Sequence, residues 1–274
     1  ISADDRVLSI TTVSADNTET ADLPEMCEPT IDPNQIPKIP ESATYEEGLD
    51  FLRGQTSGIF LYPEVFYIYV EKDGVGRWEL AGVGSDTCVV ISGIDEKIDA
   101  IIAGGADMVR VVHSHPDQSP AGSPPSSQDV AACASLQKKY RNQIDIKCDV
   151  VDGAGNAWTI DVAPDSEISE NMHEYYTVYF EFINAPGVQE RAKRIAEEHP
   201  DWGEAQIIEQ LEQDAFDGKI SAEAQRRAGD LRRIDTLTGI GKLHRTQYGP
   251  PDLLVDEYKK HKVTITRRIK PTAS

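Results

Sequence analysis

The apolar residues follow a helical period near the start of the chain and a strand period after residue 58. Leu49 and Leu52 lie on one face of a predicted helix over 42–53, with Thr44 as its N-cap and Glu47 three residues later, as in a capping box. After that helix, β-branched and aromatic runs separated by turns predict strands. These predicted strands cover 59–62, 65–70, 78–83, 88–92 and 108–112.

Helical spacing alternates with strand-like runs as far as residue 163. Strands and helices that interleave in this way favour an α/β fold, with one mixed β-sheet and flanking helices. Beyond that point the segment 173–183 is rich in aromatic residues, and its pattern allows either a helix or a strand. The further predicted helices cover 95–104, 127–140, 188–198, 202–216 and 221–233, and the further predicted strands cover 144–151, 157–162 and, as an edge strand, 263–269.

Composition divides the chain into three segments. Residues 1–43 are acidic and rich in proline, so we expect an extended leader with one edge strand over 7–13. Residues 44–185 carry the α/β pattern. Residues 186–274 are expected to form a small, basic, helical C-terminal region.

The net charge of the chain limits the classes of partner that it is expected to bind. Its 274 residues include 47 Asp and Glu against 27 Lys and Arg, a net charge of −20. Long-range attraction to nucleic acid is unfavourable for so acidic a protein, and no apolar run is long enough for a membrane-spanning helix. We therefore expect no nucleic-acid partner, no membrane span, and a soluble protein that is either cytoplasmic or exported.

The basic residues are concentrated near the end of the chain. Residues 219–274 hold 13 Lys and Arg against 6 Asp and Glu. This asymmetry indicates that the tail docks on the acidic remainder of the chain or binds an acidic partner. The first residue is Ile1 rather than Met, which agrees with removal of an N-terminal segment.

The four cysteines form no closely spaced pair, so they indicate neither a structural zinc knuckle nor a redox motif. Cys88, Cys133 and Cys148 lie in predicted strands or helices and are interpreted as small buried apolar residues. Cys27 lies in a predicted loop. The sequence is compatible with one disulfide bond, and with either an oxidising or a reducing compartment.

The segment 111–129 combines residues that bind first-row metals. His113 and His115 are two positions apart at the end of a predicted strand, so they project to the same side of the sheet. Pro116 ends the strand, and a loop of Ser, Pro and Gly leads to Asp129 on the first turn of the next helix. Two imidazoles and one carboxylate, with a fourth position open, are typical of a catalytic rather than a structural zinc site.

These residues resemble the signature of the JAMM/MPN+ (JAB-domain) metalloproteases. His113, His115 and Asp129 match the family's three zinc ligands, and Ser126 matches its motif serine. The resemblance covers residues 44–163, and the loop between His115 and Ser126 is a few residues longer than is usual in the family. It implies a sheet sandwiched by helices, layered as in the cytidine deaminases, and one Zn²⁺ per chain.

The resemblance also implies a glutamate general base, which takes a proton from the attacking water and returns it to the leaving amine. Glu64, directly before a predicted strand, is the first candidate, with Glu71 second and Glu79 a distant third. In this scheme Ser126 hydrogen-bonds the developing oxyanion. The remaining histidines, His173, His199, His244 and His261, are interpreted as surface or packing residues.

The function that the resemblance implies is a zinc-dependent metallopeptidase that hydrolyses an amide or isopeptide bond. The expected substrate is a protein or peptide: a deubiquitinase-like enzyme would remove a ubiquitin-like tag or cleave a peptide tail. Two alternatives stay open. One is a catalytically inactive JAMM-like scaffold that binds a partner, and the other is a toxin or effector domain.

Overall fold

The computed structural model describes residues 31–56, 63–84, 93–116 and 122–269. Among the sequence predictions, the strands over 7–13, 59–62 and 88–92 and the residues Cys27 and Cys88 lie outside these ranges. The chain divides into two compact units. The sheet unit consists of the described residues of 31–125, 132–166 and 262–269, and the helical unit consists of residues 126–131 and 167–261.

The sheet unit is built on six strands in the order β2-β1-β3-β4-β5-β6. The pair β3 and β4 is parallel, and the other neighbouring pairs are antiparallel, so the sheet is mixed, as the sequence pattern predicts. The strands are β1 (Val65–Lys72), β2 (Val75–Val83), β3 (Met108–His115), β4 (Asp145–Asp152), β5 (Asn156–Val162) and β6 (Val263–Ile269).

Three helices accompany the strands: α1 (Tyr45–Thr56), α2 (Ile94–Ala103) and α3 (Ser127–Tyr140). The predicted capping box is confirmed at α1, because the backbone N–H of Thr44 donates to Glu47 at 2.8 Å and that of Glu47 donates to the Thr44 hydroxyl at 3.3 Å. Helix α3 is one continuous helix, although its first turn is grouped with the helical unit.

Residues 31–43 differ from the predicted extended leader, because they pack against the sheet. Ile36 and Ile39 are buried in the same hydrophobic cluster as Leu49, Leu52 and Tyr67. Burial of these two isoleucines favours an ordered conformation of the stretch despite its prolines.

The helical unit contains α4 (Ile168–Ile183), α5 (Val188–Glu198), α6 (Glu204–Phe216), α7 (Ala222–Thr238), α8 (Ile240–Thr246) and α9 (Pro251–Lys260). The segment whose pattern was ambiguous is therefore a helix. Its residues Tyr175, Tyr179 and Phe182 are fully buried, and the rings of Tyr175 and Tyr179 pack against His244, which is also buried. Burial and the neighbouring Arg245 lower the pKa of His244 to about 3, so this histidine is neutral and acts in packing.

The two units do not follow the sequence division at residue 186. Helix α4 packs against α7 and belongs to the helical unit, whose long segment runs from Glu167 to His261. Strand β6, assigned from sequence to the helical region, pairs with β5 and closes the sheet as an edge strand, with Val162 opposite Val263. The alternating pattern of 263–269 therefore predicted the strand correctly.

The two described cysteines, Cys133 and Cys148, are free and buried, as expected. Several basic residues of the tail form ion pairs within their own unit: Lys262 with Asp165 at 2.6 Å, and Arg245 with Asp235 at 2.7 Å. None of the described helices is long and apolar enough to cross a membrane.

Candidate metal centre

Strand β3 carries both motif histidines to its final residues. The Nε2 atoms of His113 and His115 lie 3.1 Å apart. Nitrogens about 2.0–2.1 Å from a shared tetrahedral Zn²⁺ would be separated by about 3.3 Å. The two imidazoles therefore already have the spacing of ligands that share one ion.

Strand β1 fixes the position of this end of β3. The ring of Phe66 stacks on the ring of His113, with centroids 6.3 Å apart and planes within 9° of parallel. Ser114, between the two histidines, accepts a hydrogen bond from the backbone N–H of Val65 at 3.0 Å. This bond between a side chain of β3 and the backbone of β1 helps to hold the register of the two strands where the histidines project.

The third ligand is oriented by the start of α3. Ser126 and Asp129 form a reciprocal cap, in which the N–H of Ser126 donates to Asp129 Oδ2 at 2.6 Å and the N–H of Asp129 donates to Ser126 Oγ at 3.2 Å. This is the capping-box arrangement with aspartate in place of the usual glutamate or glutamine. The motif serine therefore sets the direction of the motif carboxylate.

The structure brings the three predicted ligands together. His113, His115 and Asp129 each offer one ligand atom, and these atoms lie within 4.8 Å of one another. Over the part of the chain that the structure describes, no other group of three His, Cys, Asp or Glu residues has this geometry. Two imidazole nitrogens and one carboxylate oxygen are a donor set that suits Zn²⁺, so the residues fit the metal that the motif implies.

The three candidate bases lie at different distances from this cluster. Glu64 is half-buried and directly precedes β1, and continuing the β1–β3 register places it opposite His115. Glu71 lies opposite Met108 at the other end of the strand. Seven residues of strand separate the two glutamates, about 23 Å.

Glu79, the third candidate, lies opposite Ile68 in the middle of β1 and forms an ion pair with Lys97 at 3.0 Å. Of the three glutamates, Glu64 alone is at the end of the sheet where the histidines project.

Sequence reasoning missed Asp152, which supports the loop before Ser126. Asp152 is fully buried at the end of β4, where it lies opposite His115 in the parallel register. Its carboxylate accepts hydrogen bonds from the backbone N–H of Ser123 at 3.0 Å, from Trp158 Nε1 at 2.7 Å and from the side chain of Asn156 at 2.8 Å. The carboxylate thus ties the returning loop to the same strand end as the histidines.

Gly122 allows the loop to approach this carboxylate. Its φ is +85°, and a Cβ atom there would lie 2.5 Å from both Asp152 Oδ2 and Asn156 Nδ2. Glycine is required for the conformation and for the space. The residues 152–156 have the sequence pattern of a turn, and the aspartate at a strand end before two glycines is the signal for a loop anchor.

Within the helical unit, the residue after the motif serine is held by a chain of hydrogen bonds. Ser127 Oγ contacts Tyr176 Oη and donates to Gln247 Oε1 at 2.8 Å. Tyr176 Oη in turn lies 2.9 Å from His244 Nδ1. Burial raises the pKa of Tyr176 to about 12, so its phenol keeps its proton and can take part as a donor.

Comparisons of the chain with protein-family models, with curated proteins and with solved structures found no match. The resemblance to the JAMM/MPN+ proteases therefore rests on the motif residues themselves.

Proposed function

We propose that this chain is a zinc-dependent metallopeptidase of the JAMM type, which hydrolyses an amide or isopeptide bond. The observation that supports this function best is the convergence of His113, His115 and Asp129, with Ser126 capping the helix that carries the aspartate. The six-strand mixed sheet with flanking helices is compatible with the JAMM-like, cytidine-deaminase-like layering, which is part of this proposal.

His113, His115 and Asp129 would hold the metal. A zinc ion in this position supplies Lewis acidity, which polarises an amide carbonyl and acidifies water. Three protein ligands leave a fourth position for water or substrate, as catalytic zinc sites require.

Glu64 is the general base of the proposal. Its carboxylate takes a proton from the water whose oxygen attacks the carbonyl carbon. When the carbon–nitrogen bond breaks, the same carboxyl group returns that proton to the leaving amine nitrogen. A half-buried position at the strand end that bears the histidines suits this shuttle.

Ser126 is the oxyanion donor. Its oxygen accepts the N–H of Asp129, and its own O–H donates to the carbonyl oxygen as negative charge develops there. The substrate class is a protein or peptide, with a ubiquitin-like tag or a peptide tail as the group released. A leaving lysine amine and a leaving peptide amine require the same proton transfer.

The test combines metal content and turnover in three variants. The protein is purified without a histidine tag, zinc is quantified by elemental analysis, and hydrolysis of a fluorogenic amide on a ubiquitin-like C-terminal tail is followed. We expect about one zinc per chain, lost in Asp129→Asn, and an unchanged zinc content in Glu64→Gln with turnover reduced by about 100-fold or more.

Glu71→Gln is the matched control, since it changes the same residue type at the other end of β1 and should keep both zinc and turnover. A zinc-free wild type after reconstitution would refute the metal site. Zinc without hydrolysis would favour the partner-binding scaffold, and full turnover in Glu64→Gln would assign the base elsewhere.

A further inference from the structure

The helical unit contains a polar cleft that the proposed hydrolase chemistry does not use. Its volume is about 210 Å³, and it is lined by residues of α4, α6, α7 and α8. The lining includes three acids, Glu209, Glu212 and Asp235, and two bases, Arg232 and Arg245. With all five ionised, the cleft carries one net negative charge.

Two polar atoms at this cleft are buried and unsatisfied. Tyr175 is 1% exposed and Glu212 is 8% exposed. Among the described residues, neither Tyr175 Oη nor Glu212 Oε1 has a hydrogen-bond partner. Buried polar atoms are nearly always paired with protein groups, ordered water or a ligand, so both atoms have capacity for a partner.

The two arginines of the cleft are already engaged. Arg245 bonds Asp235 at 2.7 Å and the second carboxylate oxygen of Glu212, Oε2, at 3.4 Å. Arg232 donates to Gln213 and stacks on the ring of Phe216 at 3.7 Å. The cations of the cleft are therefore paired, and the open groups are Glu212 Oε1, which accepts, and the Tyr175 hydroxyl, which can accept as well as donate.

The geometry of the unfilled acceptors distinguishes among cations. A guanidinium needs a pair of acceptors for its planar fork, and Arg245 already occupies one oxygen of Glu212. A hard divalent metal prefers six or more oxygen ligands, which two oxygen atoms do not provide. A primary ammonium is a compact charge with three N–H donors and suits one carboxylate oxygen and one phenol oxygen.

We propose that this cleft binds a primary alkylammonium ion, whose N–H groups donate to Glu212 Oε1 and Tyr175 Oη. The ion neutralises the cleft and satisfies both buried atoms. The remaining volume accommodates its alkyl chain beside Leu231. This site is independent of the proposed hydrolase activity.

The charge state of Glu212 supports the choice of a cation. Burial raises its pKa to about 7, with Asp235 and Glu209 acting in the same direction and Arg245 and Arg232 opposing them. Above that pH the carboxylate is ionised within the protein, where a charge-assisted hydrogen bond contributes most.

The experiment titrates the full chain with n-butylammonium chloride at pH 8 and constant ionic strength, and follows backbone amides by NMR. We expect saturable shifts in α6, α7 and α8. Glu212→Gln should weaken binding by about tenfold or more, because it removes a charged acceptor. Tyr175→Phe, which removes only the phenol oxygen, should weaken it severalfold.

Two controls separate specific recognition from general attraction. Glu209→Gln removes an exposed acid of the same cleft and should change affinity by less than about twofold. Tetramethylammonium carries the same charge without N–H donors and should bind at least about tenfold more weakly. Absence of saturable shifts, equal affinity for tetramethylammonium, or unchanged affinity in both Glu212→Gln and Tyr175→Phe would overturn the proposal.

Discussion

Two buried carboxylates of the sheet unit and one of the helical unit differ in how fully hydrogen-bond donors surround them. In the sheet unit, Asp149 and Asp152 are fully buried and accept several hydrogen bonds each, so their oxygens are saturated by donors. In the helical unit, Glu212 is nearly as buried, yet one of its oxygens has no partner among the described residues. A saturated carboxylate ties together the elements that carry its donors, whereas an unsaturated one keeps an oxygen that can accept a further donor.

The largest expected effect on stability comes from removing the saturated carboxylate of Asp152, which lies opposite His115. Asp152→Ala leaves the buried donors of Asn156 and Trp158 without an acceptor, so we expect a loss of about 3 kcal/mol or more in the free energy of unfolding. Urea denaturation measures this loss. Asp161→Ala, an exposed acid on the neighbouring strand, should change it by less than about 0.5 kcal/mol. Similar losses in the two variants would contradict the anchoring role of Asp152.

The second prediction is a gain in the free energy of unfolding, from a substitution at the unsaturated carboxylate. The raised pKa of Glu212 means that the unfolded chain ionises before the folded one, so stability falls as pH rises from about 4.5 to about 7. Glu212→Gln removes this penalty and should stabilise the protein by about 2–3 kcal/mol at pH 8. The gain should vanish at pH 4, where both states hold the proton. A variant less stable than wild type at pH 8 would show that the pairing with Arg245 outweighs the burial.

The smallest expected effect comes from removing one donor of a saturated carboxylate while leaving the others. Tyr45 donates to Asp149 at 2.7 Å, and Arg110, Thr159 and Arg268 also bond this carboxylate. Tyr45→Phe keeps the ring that stacks on Trp78 and should cost about 1 kcal/mol in urea denaturation. A loss comparable with that of Asp152→Ala would mean that Asp149 depends on this single donor.

Much of the fold could be predicted because local pattern and tertiary structure agree. The helix over 127–140 and the capping box of Thr44 and Glu47 required only short-range spacing, and both were predicted correctly. The segment 173–183 was ambiguous because its aromatic residues pack equally well in a helix or a strand, and contacts with α7 and α8 decide the outcome. The unit boundary depends on the same long-range packing, which no local window contains.

The residues of the candidate site also divide into those that local sequence predicts and those that only long-range packing reveals. His113, His115 and Asp129 could be identified because a strand period and a helix start place them together. Asp152 and Gly122 could not, since their role depends on the parallel pairing of β3 with β4 and on the path of a loop. The protonation states of Glu212 and His244 can be assigned only when their burial is known.

The connection between β5 and β6 has a consequence for the modularity of the chain. The N–H of Ala163 donates to the carbonyl of Lys262 at 3.0 Å, directly beyond the paired ends of the two strands. In connectivity, β5 and β6 are the two arms of a hairpin whose loop has been replaced by helices α4 to α9. An insertion of this kind can be exchanged genetically for a short turn without reordering the strands, whereas a simple C-terminal truncation would delete an edge strand of the sheet.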